Sequence, residues 1–300
     1  MKKAGIIVIG MLILFGSQAV QAQNLEVVKD SLTDQSTWSG LDQIYKRQHI
    51  TEKVPIPYEP IREADIMWSK LVWRMVDFRQ KMNMALYFPT VPIGDRMSLI
   101  DVLMDAVENG DVTAYKPSID DLNEFMEPMN YDQILEEFDA QDEVQTVTDP
   151  VTGETIETVI AGTIRTEEVL QLLIKEMWFF DRKRSMMEVR IIGLCPIRVY
   201  YKPEDVGKEE VQYKKLFWVK FPETRNILAQ KEVYNPFNDA ERRSYDEIFH
   251  KRYFDGFVVQ ESNVYNNRMI QQYTMGIETL LESERVEDWI YRFEHDLWEF

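Results

Sequence analysis

The sequence predicts an α+β fold: a single mixed domain with a small β-sheet packed by several helices, an extended N-terminal arm and an inserted β-hairpin. Three observations predict it. Apolar residues recur at three- and four-residue steps in several segments, the mark of helices with one buried face. They alternate in three others, the mark of half-buried strands. Residues 23–60 and 139–163 follow neither pattern.

The first residues read as a secretory signal. Lys2 and Lys3 precede the apolar run 4–15, and Val20-Gln21-Ala22 is a small-x-small cleavage pattern. Residues 1–22 are therefore expected to be removed. Gln23 rather than a cysteine follows the cut, so no lipid anchor is expected there. No later segment approaches the ~20 apolar residues of a membrane span. Cleavage leaves 32 basic against 52 acidic residues, a net charge of −20. Such a chain is repelled by phosphate backbones and anionic lipid, which argues against nucleic-acid partners. Cys195 is the only cysteine, so no internal disulfide is available and the fold rests on its core. It reads as a buried thiol, with a bridge to a partner as the alternative.

Residues 23–60 form the arm. They are polar, and Pro55, Pro57 and Pro60 hold the chain extended. The arm either drapes over its own domain or docks on a neighbour. The domain is expected to run from residue 61 to 300. Its first helix starts at Pro60, with Ile61, Ala64, Trp68, Leu71, Met75, Phe78 and Met82 on one stripe. Trp68 reads as core, whereas Trp73 lies off the stripe and reads as surface. Ser98 caps a second helix through Leu99, Leu103 and Ala106, stopped by Gly110. Residues 112–115 form a short strand. Ser118-Ile119-Asp120-Asp121 resembles a capping box and opens a helical stretch toward Phe138.

Within 139–163, the β-branched segments 144–148 and 155–160 flank Asp149-Pro150-Val151-Thr152-Gly153, which is turn chemistry. This hairpin is either a surface flap or an edge for pairing with a partner. Thr166 is expected to cap a helix bearing Val169, Leu173, Ile174, Met177 and Trp178. Strands follow at 187–191, 217–221 and 257–259. Helices at 223–232 and 240–250 lie between the last two, parted by Asn235-Pro236, and helical segments occupy about 267–298.

A catalytic constellation is hard to find. The three histidines, His49, His250 and His295, form no metal-binding pair at helical spacing, and one cysteine excludes a cysteine-based zinc site. There is no nucleophile elbow and no phosphate loop. The most suggestive group is Glu294-His295-Asp296, with Glu299 four residues beyond His295. Such a group is more often a solvated ion pair near a helix end. No cofactor or metal is expected, and the chain is not expected to be an enzyme. Aromatic residues beside charge stand out instead, above all in Trp289-Ile290-Tyr291-Arg292-Phe293 and the Trp298-Glu299-Phe300 end. The candidate contact residues are Pro55, Pro57 and Tyr58 on the arm, together with Trp73, Trp289, Phe293, Trp298 and Phe300.

Several stretches carry a family resemblance. They are Arg62-Glu63-Ala64-Asp65-Ile66-Met67-Trp68, Trp178-Phe179-Phe180-Asp181, Arg190-Ile191-Ile192-Gly193, Leu216-Phe217-Trp218-Val219, Glu261-Ser262-Asn263-Val264-Tyr265, Glu282-Ser283-Glu284-Arg285 and the run from Glu294 to Phe300. Together they resemble the gliding-motility GldN family, also called PorN, of the type IX secretion system of Bacteroidota. The resemblance spans the chain from about Arg62. It implies a non-catalytic periplasmic subunit that forms a ring with an outer-membrane lipoprotein of the GldK/PorK kind. It also implies contact with the GldM/PorM-like component that couples the inner-membrane motor across the periplasm. Association with the outer membrane then runs through the lipoprotein, with no membrane span of the chain's own. The competing expectation is a periplasmic enzyme or small-ligand-binding protein, which requires a closed polar pocket at His295 or a pair of perturbed acids.

Overall fold

The computed structural model describes residues 52–93, 96–118, 124–140, 143–148, 155–160, 164–201, 210–238 and 240–297. The elements run in the following order: β1 Ile66–Asp77, α1 Met84–Tyr87, α2 Leu99–Glu108, β2 Ala114–Tyr115, β3 Pro128–Met129, α3 Tyr131–Glu137, β4 Glu143–Thr148 and β5 Thr155–Ile160. Then come β6 Val169–Asp181, β7 Met186–Tyr201, β8 Val211–Lys215, β9 Trp218–Lys220, α4 Phe221–Gln230, β10 Glu232–Val233, β11 Arg243–Ser244, α5 Tyr245–His250, β12 Phe257–Glu261 and α6 Ile277–Asp296. An eight-stranded antiparallel sheet, ordered β12-β1-β6-β7-β9-β2-β3 with β8 beside β7, forms the centre. β10 pairs with β11, and β4 pairs with β5 as the expected hairpin, with Val144 opposite Val159.

The α+β class is as expected, but the sheet is larger, because two segments read as helices are strands. Residues 61–82 yield a single 3-10 turn, Glu63–Asp65, and then β1. Residues 166–178 yield the 3-10 turn Thr166–Glu168 and then β6. The cause is burial on both faces. In β1, Val72 and Val76 lie on one face of the sheet and Trp73 on the other, all fully buried. A strand covered on both sides need not alternate, and its apolar residues then mimic helical steps. Trp73, expected at the surface, is 1% exposed. Its indole donates to Glu124 at 2.9 Å, and the Lys175 ammonium lies 4.8 Å from its ring. The helical stretch toward Phe138 begins only at Asn130, whose side chain and Gln133 make a reciprocal capping box. The Ser118 box lies mostly outside the described residues.

Local chemistry was a better guide elsewhere. The Ser98 side chain accepts from the Asp101 amide at the start of α2, and Gly110 follows its end with φ +75°. α4 and α5 occupy the interval expected for helices, with Pro222 in the first turn of α4 and Ser244 capping α5.

One face of the sheet carries α2, α4 and α5. Leu103, Phe221, Leu228, Tyr245 and Phe249 pack there on Val76, Ile174, Leu194 and Val219. On that same face, nearer β12, α6 lays Val286 and Ile290 over Val72 and Val258. The opposite face holds Trp73, Leu173, Cys195, Ile197, Trp218 and Val259, with Phe125 against Trp218. Each fully buried side chain of this size contributes about 1.5–3 kcal/mol.

Glu176 is the junction of these parts. It is 0% exposed, directly after a register shift between β6 and β7. Its carboxylate accepts from Arg252 beyond α5 at 2.9 and 3.2 Å, from the Trp178 indole at 3.1 Å, and lies 3.6 Å from Arg74 of β1. Arg74 also reaches Glu287 of α6 at 2.5 Å and the Gly256 carbonyl. One buried charge thus ties the α5 end and, through Arg74, the α6 end of the helical face to the sheet.

Candidate interaction site

The site is built on α6. Gly276 opens the helix at φ +62°, a left-handed geometry that suits glycine. The inner residues Ser283, Val286 and Ile290 are buried. At the other edge, Ile277, Leu280 and Leu281 stand at i, i+3 and i+4, with Ile277 77% and Leu281 58% exposed. Met275, just before the helix, is exposed as well. Three large aliphatic groups on one edge of a fixed helix form a contiguous apolar strip, unlike the scattered exposed residues of an ordinary surface.

The strip runs toward a groove of about 520 Å³ between α6 and the β1/β12 edge, lined in part by Lys70, Glu261, Leu281, Arg285 and Trp289. Lys70 spans it, 2.6 Å from Glu261 and 4.6 Å from the Trp289 ring. Farther along, Trp68 of β1 packs on Trp289 and Phe293 with ring centroids 5.5 and 4.7 Å away, and those two rings stack at 5.8 Å. Acidic residues frame the strip: Glu278, Glu282, Glu284 and Asp288 against Arg285. Burial raises the pKa of the nearby Tyr273 phenol, and the charges of Glu282 and Glu261 add to the effect.

Pro55, Pro57 and Tyr58 belong to a second region. Residues 52–60 lie as a strap across their own domain. Tyr58 sits between two guanidinium groups, Arg225 at 4.2 Å and Arg190 at 4.9 Å from its ring, with His250 at 6.4 Å. Burial raises its pKa, against the pull of Arg225. Arg190 donates to the Glu59 carbonyl at 2.7 Å, Arg184 pairs with the Glu59 carboxylate, and Lys53 pairs with Glu247. Beneath the strap is a cavity of about 290 Å³ that Arg184, Glu188, Arg190, His250 and Arg252 help to line.

The structure therefore brings Trp289 and Phe293 together with Trp68, places Pro55, Pro57 and Tyr58 elsewhere, and buries Trp73 in the core. Trp298, Glu299 and Phe300 lie outside the described residues. His295 has the Tyr291 ring 6.4 Å away and lines neither groove. Cys195 is fully buried. Ile277, Leu280 and Leu281 were missed by the sequence reading, although their spacing directly after Gly276 was visible. Among the described residues, no three His, Cys, Asp or Glu side chains cluster as for a metal ion, and no helix is long and apolar enough to cross a membrane.

These features define a class: an antiparallel α+β protein that presents an exposed apolar helix edge beside an aromatic groove. The family model for the gliding motility associated protein GldN matches residues 61–299, and the chain belongs to that family. No curated protein matches it.

Proposed function

We propose that this chain is a non-catalytic structural subunit of the type IX secretion and gliding-motility machinery. On this reading residues 1–22 are removed on export and the protein works in the periplasm. It forms a ring with copies of itself and a GldK/PorK-like outer-membrane lipoprotein, and it contacts a GldM/PorM-like motor component. Family membership supports the machinery. The observation that supports a docking role is the outward strip Ile277, Leu280 and Leu281, held rigidly by Val286, Ile290 and the Arg74–Glu287 pair. Interface cores take such groups out of water and surround them with polar rims, here the acids of α6.

The test is the double variant Ile277→Asp, Leu281→Asp, co-expressed with the lipoprotein and followed by size-exclusion chromatography and negative-stain microscopy. Both side chains are already exposed, so the melting temperature should stay near that of wild type. Assembly should weaken at least tenfold, about 1.4 kcal/mol or more. Assembly at wild-type strength would remove α6 from the interface.

A further inference from the structure

We propose that the strap of one copy of this chain seats in the strap groove of a second copy, the one formed by Arg184, Arg190, Arg225 and Glu247, so that adjacent copies are joined by exchanged arms. The inference rests on the reading that copies assemble, and it names how they are held.

The strap's attachments carry the argument. Lys53, Tyr58 and Glu59 are held by Glu247, Arg225, Arg190 and Arg184, on α5, α4, β7 and the β6–β7 turn. Among the described residues, no backbone-to-backbone hydrogen bond joins 53–59 to the rest of the chain. The partners lie far along the sequence, and none is on β1, the strand into which the strap leads. The same groove on a neighbour offers every one of these contacts unchanged, so exchange loses none of them. Pro55, Pro57 and Pro60 keep the segment extended without backbone hydrogen bonds to its own domain, which lowers the cost of ordering it elsewhere.

The outer side of the strap points the same way. Lys53, Pro55 and Tyr58 are partly buried, while Val54 and Ile56 are 78% and 65% exposed. A strap that covers only its own domain leaves these two apolar groups in water. A strap running between two copies has a protein surface on each side. The hinge is short. Only Pro60, Ile61 and Arg62 separate Glu59 from the turn Glu63–Asp65, a reach of about 10 Å. Donor hinge and acceptor groove must therefore be close neighbours.

The native Lys53–Glu247 pair supplies the test, because a carbodiimide condenses a contacting amine and carboxylate with no spacer. Two full-length variants are co-expressed, one carrying Glu247→Gln and the other Lys53→Arg. Neither can form the 53–247 link within itself. Only a strap from the first copy in the groove of the second brings both reactive groups together, with that contact intact. After cross-linking and digestion, mass spectrometry should find the linked peptide at about one quarter of the wild-type yield, the share of donor–acceptor pairs carrying both groups under random pairing. Wild-type protein should give the link in either case, and Lys53→Arg alone should abolish it. Loss of the link to background in a sample that chromatography shows to be assembled overturns arm exchange and leaves the assembly reading standing. A monomeric sample overturns both.

Discussion

Glu176→Gln tests whether one buried carboxylate holds both groups of helices, α2/α4/α5 and α6, on their shared face of the sheet. Removing one partner of a buried ion pair typically costs about 3–5 kcal/mol, because the charge left behind keeps its desolvation cost. Here the substitution leaves Arg252 facing a neutral amide, and the amide nitrogen confronts the donors of Arg252 or Trp178. Two features place the effect at the low end. Arg252 is 27% exposed and so partly hydrated, and Arg74 retains Glu287. The expected loss is about 3 kcal/mol. For a domain of this size each kcal/mol shifts melting by about 2–4 °C, so the drop should be about 6–12 °C. Thermal and urea denaturation followed by circular dichroism would measure it. Glu287→Gln is the comparison. Its side chain is 41% exposed and Arg74 keeps Glu176, so its loss should cost less, about 1 kcal/mol. If Glu176→Gln melts within about 2 °C of wild type, or Glu287→Gln loses as much, Glu176 is not the junction described above.

Two further predictions rest on single contacts. Burial pushes the Glu247 carboxyl up, but the hydrogen bond and charge of Lys53, with the charge of Lys251, hold it below its ordinary value of 4.5. A depressed carboxyl stabilises the folded state above its unfolded pKa, and that contribution is lost as pH falls through the folded pKa. The strap should therefore stay seated at neutral pH and loosen only once the pH falls below 4.5, read by an environment-sensitive dye on Glu52→Cys; Glu247→Gln should show a smaller acid step. Gly256→Ala should destabilise the β1/β12 edge, since its Cβ would lie 2.5 Å from the Met75 carbonyl oxygen and 3.0 Å from Val76. Overpacking of this kind costs about 1–3 kcal/mol, and wild-type stability in urea would show that the backbone yields there.

How much of this was legible in the sequence depends on whether the deciding interaction is local. The Ser98 cap, the 143–160 hairpin and the extended prolines of the strap follow from residues a few positions apart, and each was predicted. β1 and β6 were not, because the difference between a one-faced helix and a two-faced strand lies in what covers the second face. For Trp73 that cover includes Glu124, 51 residues away. Once the segment is a strand, an off-stripe tryptophan becomes a core residue of the opposite face. The candidate site shows the same division. Trp289 and Phe293 were both read as contact residues, and they do share the Trp68 contact. Ile277, Leu280 and Leu281 carry the spacing of a buried face, and nothing within the helix says that they stand exposed among the described residues. That the strap is extended could be read from its prolines. That Arg190 and Arg225 close on Tyr58 could not, since β7 and α4 come together only when the sheet forms.

Cys195 has a practical consequence of its own. The chain's single thiol lies at the middle of the sheet, opposite Leu173 on the neighbouring strand, with no surface open to reagents. An alkylating probe added to the folded protein can mark it only after β7 has parted from its neighbours. The rate of modification then becomes a clock for rare excursions of the sheet, with the wild-type chain as its own reporter.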